Sequence, residues 1–170
     1  MATGTNTTTT VGRRILGIDP GSNKTGYAAL LQVGRQLSVL ESGTICLSSR
    51  WTLSRRLGAL AEQIDELVAR IAPQEVAVED VFSSKNARSA LALGQARGAI
   101  LAAVGRRAVP VEAYPPATIK KAITGHGAAD KVQIQRMVSA MLALTQAPQA
   151  DEADAMAVAI CHALARRAAR

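Results

Sequence analysis

Aromatic residues are almost missing from this chain: one phenylalanine, one tryptophan and two tyrosines in 170 positions. A core built without large rings must rest on Ala, Leu, Val and Ile, which favours close approach of backbones over interlocking of bulky side chains. Cysteine is nearly absent too. Cys46 and Cys161 are the only two, which excludes a disulfide framework and suits a reducing compartment, so the expected location is cytoplasmic. Both lie in apolar patterns and are expected to be small core residues. No apolar run is long enough to span a bilayer, so no membrane role is expected. There is no Walker loop, no dinucleotide fingerprint and no zinc-spaced Cys/His cluster. The two histidines, His126 and His162, stand alone and read as surface or internally satisfied groups. Acids are also outnumbered, 13 against 20 Lys and Arg, for a formal charge of +7. That surplus points to an anionic partner, with nucleic acid first among them.

What is present reads as one domain. Residues 1–12 are small and polar and are expected to form a disordered tail, with residues 13–168 as the folded unit. Arg14–Asp19, Thr25–Val33 and Gln36–Leu47 carry strand patterns, the last two joined by a tight turn at Gly34-Arg35, with a bulge expected at Ser42-Gly43. Thr52–Ala72 repeats apolar residues at spacings of three and four and stops before Pro73. Its Arg55, Arg56, Glu62, Asp65, Glu66 and Arg70 read as a solvated face, and Trp51 as a staple for the helix start. A short strand at Val76–Val78 runs into Glu79. A helix over 85–107, a strand at Val109–Val111, and helices over 117–124, 131–144 and 150–167 complete the chain. Three strands in meander followed by crossover units predict a mixed sheet with helices on its faces.

The chemistry lies in four acids. Asp19 ends the first strand at an Asp-Pro-Gly turn, and Glu79 ends the fourth. If those strands are neighbours, their carboxylates converge at one end of the sheet. Asp151 and Asp154 share one face of the last helix at its first turn, where negative charge is also favourable for a structural reason. Asp80 follows Glu79 directly and should point to the other face. Clustered carboxylates repel one another unless a cation intervenes, and all-oxygen ligands suit Mg²⁺ or Mn²⁺ rather than zinc.

These residues resemble the RuvC family of Holliday junction resolvases. The resemblance rests on Leu16-Gly-Ile-Asp-Pro-Gly-Ser22 with Thr25-Gly-Tyr27, on Val78-Glu-Asp-Val-Phe82 with Lys85-Asn86, on Leu93-Gly-Gln-Ala-Arg-Gly98, and on Gln149-Ala-Asp-Glu-Ala-Asp-Ala155. Together they span about Arg14 to Leu164. The resemblance implies an α/β, ribonuclease H-like fold with a five-stranded mixed sheet flanked by helices on both faces. It implies that Asp19, Glu79, Asp151 and Asp154 are catalytic and metal-binding, with Mg²⁺ or Mn²⁺ as cofactor and two ions per subunit. It also implies that Phe82 wedges or stacks at the junction crossover and that Lys120 and Lys131 contact DNA near the scissile phosphates. The family shows Glu directly before the tyrosine of the fifth strand; here Ala113 precedes Tyr114 and the Glu is at 112.

The expected activity is therefore metal-dependent, symmetric paired nicking of four-way DNA junctions in recombination and repair. The expected partners are junction DNA, a second copy of the chain, and a branch-migration helicase complex implied by the resemblance. Another ribonuclease H-like nuclease acting on structured nucleic acid is the alternative enzyme. A non-catalytic junction-binding protein is a second alternative, against which four intact acids argue. An actin-like ATPase would need a further phosphate-binding domain. A stripe of Ala90, Gly94, Gly98 and Ala102, every four residues along one helix, suits close approach of either the chain's own sheet or the same helix of a second subunit.

Overall fold

The computed structural model describes residues 12–80 and 86–168. Five strands form one mixed sheet in the order β3-β2-β1-β4-β5. Strands β1 (Arg13–Asp19), β2 (Lys24–Val33) and β3 (Gln36–Cys46) make the antiparallel meander. Strands β4 (Glu75–Glu79) and β5 (Val111–Tyr114) run parallel to β1. The helices are α1 (Leu53–Ile71), α2 (Ala87–Arg106), α3 (Pro116–Thr124), α4 (Lys131–Met141) and α5 (Ala150–Ala168).

Alternation along the strands decides which face each side chain serves. Ile15 of β1 and Ala77 of β4 pack with α3, α4 and α5. Leu16 and Ile18 of β1, with Val76 and Val78 of β4, pack with α1 and α2 on the opposite face. Helix α1 contributes Leu60, Ile64, Leu67, Val68 and Ile71 to that second core, each buried side chain contributing about 1.5–3 kcal/mol. Thr52 caps α1, its side chain accepting from the Arg55 amide, and the Arg55 guanidinium lies 4.3 Å from the centroid of the half-buried Trp51 ring.

Helix α5 is buried over most of its length: Ala153, Ala155–Ala163 are all interior. Its small side chains let it settle directly onto the sheet. A Cβ on Gly17 would fall 2.4 Å from the Ala155 carbonyl oxygen, and one on Gly26 would fall 2.1 Å from that of Asp151. Both glycines are required by contact distance, which is how an aromatic-poor core is closed.

Four details depart from the sequence reading. Cys46 is exposed, because it ends an edge strand facing outward, while Cys161 is buried as expected. The bulge in β3 falls at Leu40, not at Ser42-Gly43. Ala29 pairs with Glu41 and Leu30 with Val39, leaving Leu40 between them without a partner. Strand β5 starts at Val111, since Pro110 has no N–H and contributes only its carbonyl, which accepts from the Val76 amide at 2.9 Å. Charged residues on the outer face of α1 do more than meet water: Arg70 pairs with Glu41, Arg107 bonds Asp65 at 2.5 Å, and Arg56 reaches the turn after β1.

His162 is buried and satisfied. Its Nδ1 lies 2.9 Å from the Tyr114 hydroxyl and its Nε2 lies 2.9 Å from Glu75. A carboxylate only accepts, so Nε2 carries the proton and Nδ1 accepts from Tyr114. Arg13 and Arg166 also donate to Glu75.

Candidate active site

The parallel register of β1 and β4 pairs Ile18 with Val78, so Asp19 and Glu79 emerge side by side. Both share the parity of Gly17 and Ala77, and therefore point to the α5 face. Asp154 arrives from α5 on that same face. Together with Lys120 of α3 and Lys131 of α4, these three acids line a cavity of about 260 Å³ whose floor is Ile119, Ile134 and Ala157. Asp80 follows the opposite parity and pairs with Arg97 of α2 at 3.1 Å.

Burial and like charge dominate the electrostatics. Asp19 is pushed up to about 8, first by burial and then by the neighbouring Glu79 and Asp154 charges. Burial also raises Glu79, against the hydrogen bond it accepts from Asp19. At neutral pH the pair therefore shares a proton, Asp19 donating. The third acid is held differently: Lys131 donates to the Asp154 carboxylate at 3.4 Å, with its own side chain largely in solvent.

Among the described residues, no three carboxylate, histidine or cysteine side chains stand close enough together to enclose an ion as they are. The donor chemistry nonetheless fits a hard cation. The cluster offers only oxygen, its charge is balanced by one shared proton and one ammonium, and an ion entering the cavity would replace both.

The sequence-predicted residues divide cleanly. Asp19, Glu79, Asp154, Lys120 and Lys131 meet at one cavity. Asp151 is half-buried one turn earlier on α5 and does not line the cavity; its backbone carbonyl lies against Gly26, the residue paired with Asp19. Phe82 lies outside the described residues. Glu112 is exposed on β5. Arg56 is a residue the sequence did not mark: its guanidinium donates to the Ser22 carbonyl at 3.5 Å and to the Asn23 side chain, gripping the turn that follows Asp19. Nothing in the pattern of α1 distinguishes it from Arg55 beside it.

A family model described as crossover junction endodeoxyribonuclease RuvC matches residues 15–162. The chain belongs to the RuvC family. A RuvC from Photobacterium profundum is 50% identical over 149 residues, covering 88% of this chain and 86% of the relative. The RuvC of Halorhodospira halophila is 49% identical over 155 residues, covering 91% and 92%. Among solved structures, T. thermophilus RuvC in complex with a Holliday junction substrate superposes with a TM-score of 0.87 at 33% identity, covering 92% of this chain and 96% of the other. The yeast mitochondrial Holliday junction resolvase has the same fold, with a TM-score of 0.63 at 14% identity, covering 88% and 78%. The RuvC fold thus accounts for the mixed sheet, the helices on its two faces and the sheet-end position of the acids.

Proposed function

We propose that this RuvC-family endonuclease resolves four-way DNA junctions in recombination and repair by paired, symmetric nicks, with Asp19, Glu79, Asp151 and Asp154 as its metal-binding catalytic set. The observation that carries the reading is the meeting of Asp19, Glu79 and Asp154 with Lys120 and Lys131 in one cavity at the sheet end. Three acids beside two lysines suit a site that must hold cations and a phosphodiester together.

Mg²⁺ is the proposed cofactor, with Mn²⁺ as substitute and two ions per subunit. Asp19 and Glu79 would hold ions once their shared proton leaves, Asp154 once Lys131 lets go, and Asp151 from the preceding turn of the same helix. When bound, the ions would supply activation of a water and stabilisation of the leaving oxygen in phosphodiester hydrolysis. The chain's own groups do the rest. Lys120 and Lys131 orient the scissile phosphate and offset its charge. Burial keeps Asp19 and Glu79 in fixed positions, so little reorganisation is needed when DNA arrives. Phe82 is proposed to stack at the crossover, a contact worth roughly 1–3 kcal/mol.

A four-way junction has two-fold symmetry, so a two-fold dimer would set one site on each of two like strands. Gly94 and Gly98 of α2 face open space: among the described residues, none outside the helix's own adjacent backbone lies within 4 Å of where a Cβ would be. That favours a second subunit over the chain's own sheet as the neighbour of this stripe. No helix among the described residues is long and apolar enough to cross a membrane. A cytoplasmic location and a branch-migration helicase partner follow from the family reading and are proposed with it.

The test is incubation with a synthetic four-way junction and Mg²⁺, with nick positions mapped against a linear duplex. Symmetric nicks on two like strands of the junction, with the duplex intact, support the reading. An intact junction, or equal cutting of the duplex, overturns it.

A further inference from the structure

Asp19 and Glu79 are each the last residue of a strand, so where each carboxylate stands depends on how the chain is held just beyond it. Two arginines hold it there, one for each acid, and both come from the helices on the face opposite the cavity. The Arg56 guanidinium of α1 donates to the Ser22 carbonyl at 3.5 Å and to the Asn23 side chain. In the same turn the buried Thr25 hydroxyl donates to the Gly21 carbonyl at 3.0 Å and accepts from the Gly21 amide at 3.2 Å. The Arg97 guanidinium of α2 pairs with Asp80 at 3.1 Å. The Asp80 amide donates to the Tyr114 carbonyl at 2.8 Å. The residue after Glu79 is thus tied to β5 by its backbone and to α2 by its side chain.

Both arginines give something up to reach these positions. Among the described residues, the Nε–H groups of Arg56 and Arg97 are buried without an acceptor. A buried donor without a partner costs free energy. An ordinary surface arginine avoids that cost by keeping its whole fork in water. Arg55, the neighbour of Arg56, is exposed, with its guanidinium over the Trp51 ring. Folding of the two helices does not call for the bent side chains. Helix α1 is seated by Leu60, Ile64, Leu67, Val68 and Ile71, and α2 by Ala96, Ile100, Ala103 and Val104. The same cost is met twice, at the two places where the chain leaves a strand-end acid of the cavity.

We propose that Arg56 and Arg97 are positioning residues for junction cleavage, a pair of clamps that fix the backbone behind Asp19 and Glu79 from the α1 and α2 side. Carboxylates crowded around one cavity repel one another, and the repulsion acts to spread the two strand ends. A support on the cavity face would occupy the space that cations and substrate need. A grip from the opposite face leaves that space free. Arginine suits the task, because its planar fork engages more than one oxygen and keeps its charge. Neither arginine lines the cavity, so each acts through the backbone of its neighbours and not on the reacting atoms. A misplacement of about 1 Å costs on the order of 100-fold in rate, which sets the scale of what the clamps protect. The proposal rests on the junction-cleavage reading above.

The experiment is single-turnover cleavage of a synthetic four-way junction with Mg²⁺, beside junction binding without divalent ion and thermal unfolding. The full chain is compared with Arg56→Gln, Arg97→Gln, Asp80→Asn and, as control, Arg55→Gln. Arg56→Gln and Arg97→Gln should each slow cleavage at saturating protein by about 10- to 100-fold, with metal-free affinity and half-saturating protein concentration within about two-fold of wild type. Their melting temperatures should fall by no more than about 4 °C, because partly exposed arginine contacts contribute little to folding. Asp80→Asn should match Arg97→Gln, and the double variant should be no slower than the slower single, since the two form one contact. Arg55→Gln should cut at the wild-type rate. Glutamine variants that cut like wild type overturn the clamps. So do losses that follow metal-free affinity or melting temperature, or an equal loss in Arg55→Gln. An Asp80→Asn protein at wild-type rate overturns the Arg97 grip. Where a glutamine variant fails to fold by circular dichroism, Arg56→Lys or Arg97→Lys, which keeps the charge and loses the fork, is judged by the same outcomes. Wild type that leaves the junction uncut overturns the junction reading and the clamps with it, whereas a cutting wild type with equally active variants overturns the clamps alone.

Discussion

Gly17 meets the backbone of Ala155 with no room for a methyl group: a Cβ on the glycine would lie 2.4 Å from the alanine carbonyl oxygen. Gly17 is two residues before Asp19 and Ala155 is next to Asp154, so this one contact sets how far apart the two carboxylates stand. Gly17→Ala should push α5 outward, costing about 1–3 kcal/mol by overpacking and slowing junction cutting more than it weakens junction binding. Thermal unfolding beside single-turnover cleavage checks this; wild-type cleavage in a folded Gly17→Ala protein would show that the spacing is not set here.

Asp19 carries a stability cost that depends on pH. Its folded-state value is raised to about 8 from an ordinary 3.8, so the fold holds a proton that the unfolded chain releases. Its contribution is fully present below about pH 4 and is lost as pH rises towards 8. Asp19→Asn should therefore abolish cutting while stabilising the metal-free protein at pH 8 by about 1–3 kcal/mol, with much less gain at pH 5. Denaturant melts at the two pH values decide it. A variant less stable than wild type at pH 8 would contradict the buried, proton-sharing pair.

Lys131 is expected to matter to catalysis and hardly at all to folding. Its side chain is 84% exposed and its bond to Asp154 is long, so the pair contributes well under about 1 kcal/mol. Lys131→Ala should lower the cleavage rate by about 100-fold or more with a melting temperature close to wild type. A rate within a few-fold of wild type would remove Lys131 from the site.

His162 should show the opposite profile. Burial lowers it from its ordinary 6.5, so it is neutral in the fold and its contribution is present above about pH 6.5 and lost as pH falls through the folded value. His162→Ala leaves the Tyr114 hydroxyl and the Glu75 carboxylate short of a partner, and should cost about 2–4 kcal/mol at pH 7. The cost should shrink below pH 6. Denaturation of the variant across that range is the measurement, and a pH-independent cost would rule out the neutral tautomer assigned here.

Gly98→Leu tests the second subunit. Among the described residues open space surrounds this position, so the variant should fold. It should sediment as a monomer and nick one strand at a time. A variant that stays dimeric rules out this contact.

Much of this was legible because strand parity is a strict rule. Asp19 and Glu79 end runs whose alternation fixes their faces, so adjacency of the two strands was enough to bring them together, and Asp80 was correctly set on the other side. The 3.6-residue repeat of Leu60, Ile64, Leu67 and Ile71 likewise fixed α1. What sequence left open depends on distance in space. The bulge at Leu40 is set by how two strands twist against each other, and no turn residue marks it. Cys46 reads as interior because its neighbours Ile45 and Leu47 are, yet parity turns it outward. Asp151 and Asp154 share a helical face, and only the docking of α5 on Gly17 and Gly26 separates the one at the cavity from the one beside the sheet. Arg56 and Arg55 are neighbours of the same type; their different tasks arise from a turn more than thirty residues away.

The unpaired Leu40 has a bearing on how the molecule behaves in a crowd. Strand β3 is a free edge of the sheet, 11 residues long, and an edge of that length invites a foreign strand to add to it. The extra residue breaks its outward row of N–H and C=O groups, so an incoming strand that matches one half is out of step with the other. The opposite edge, β5, has only four residues. The sheet thereby has one interrupted border and one too short to template a fibre.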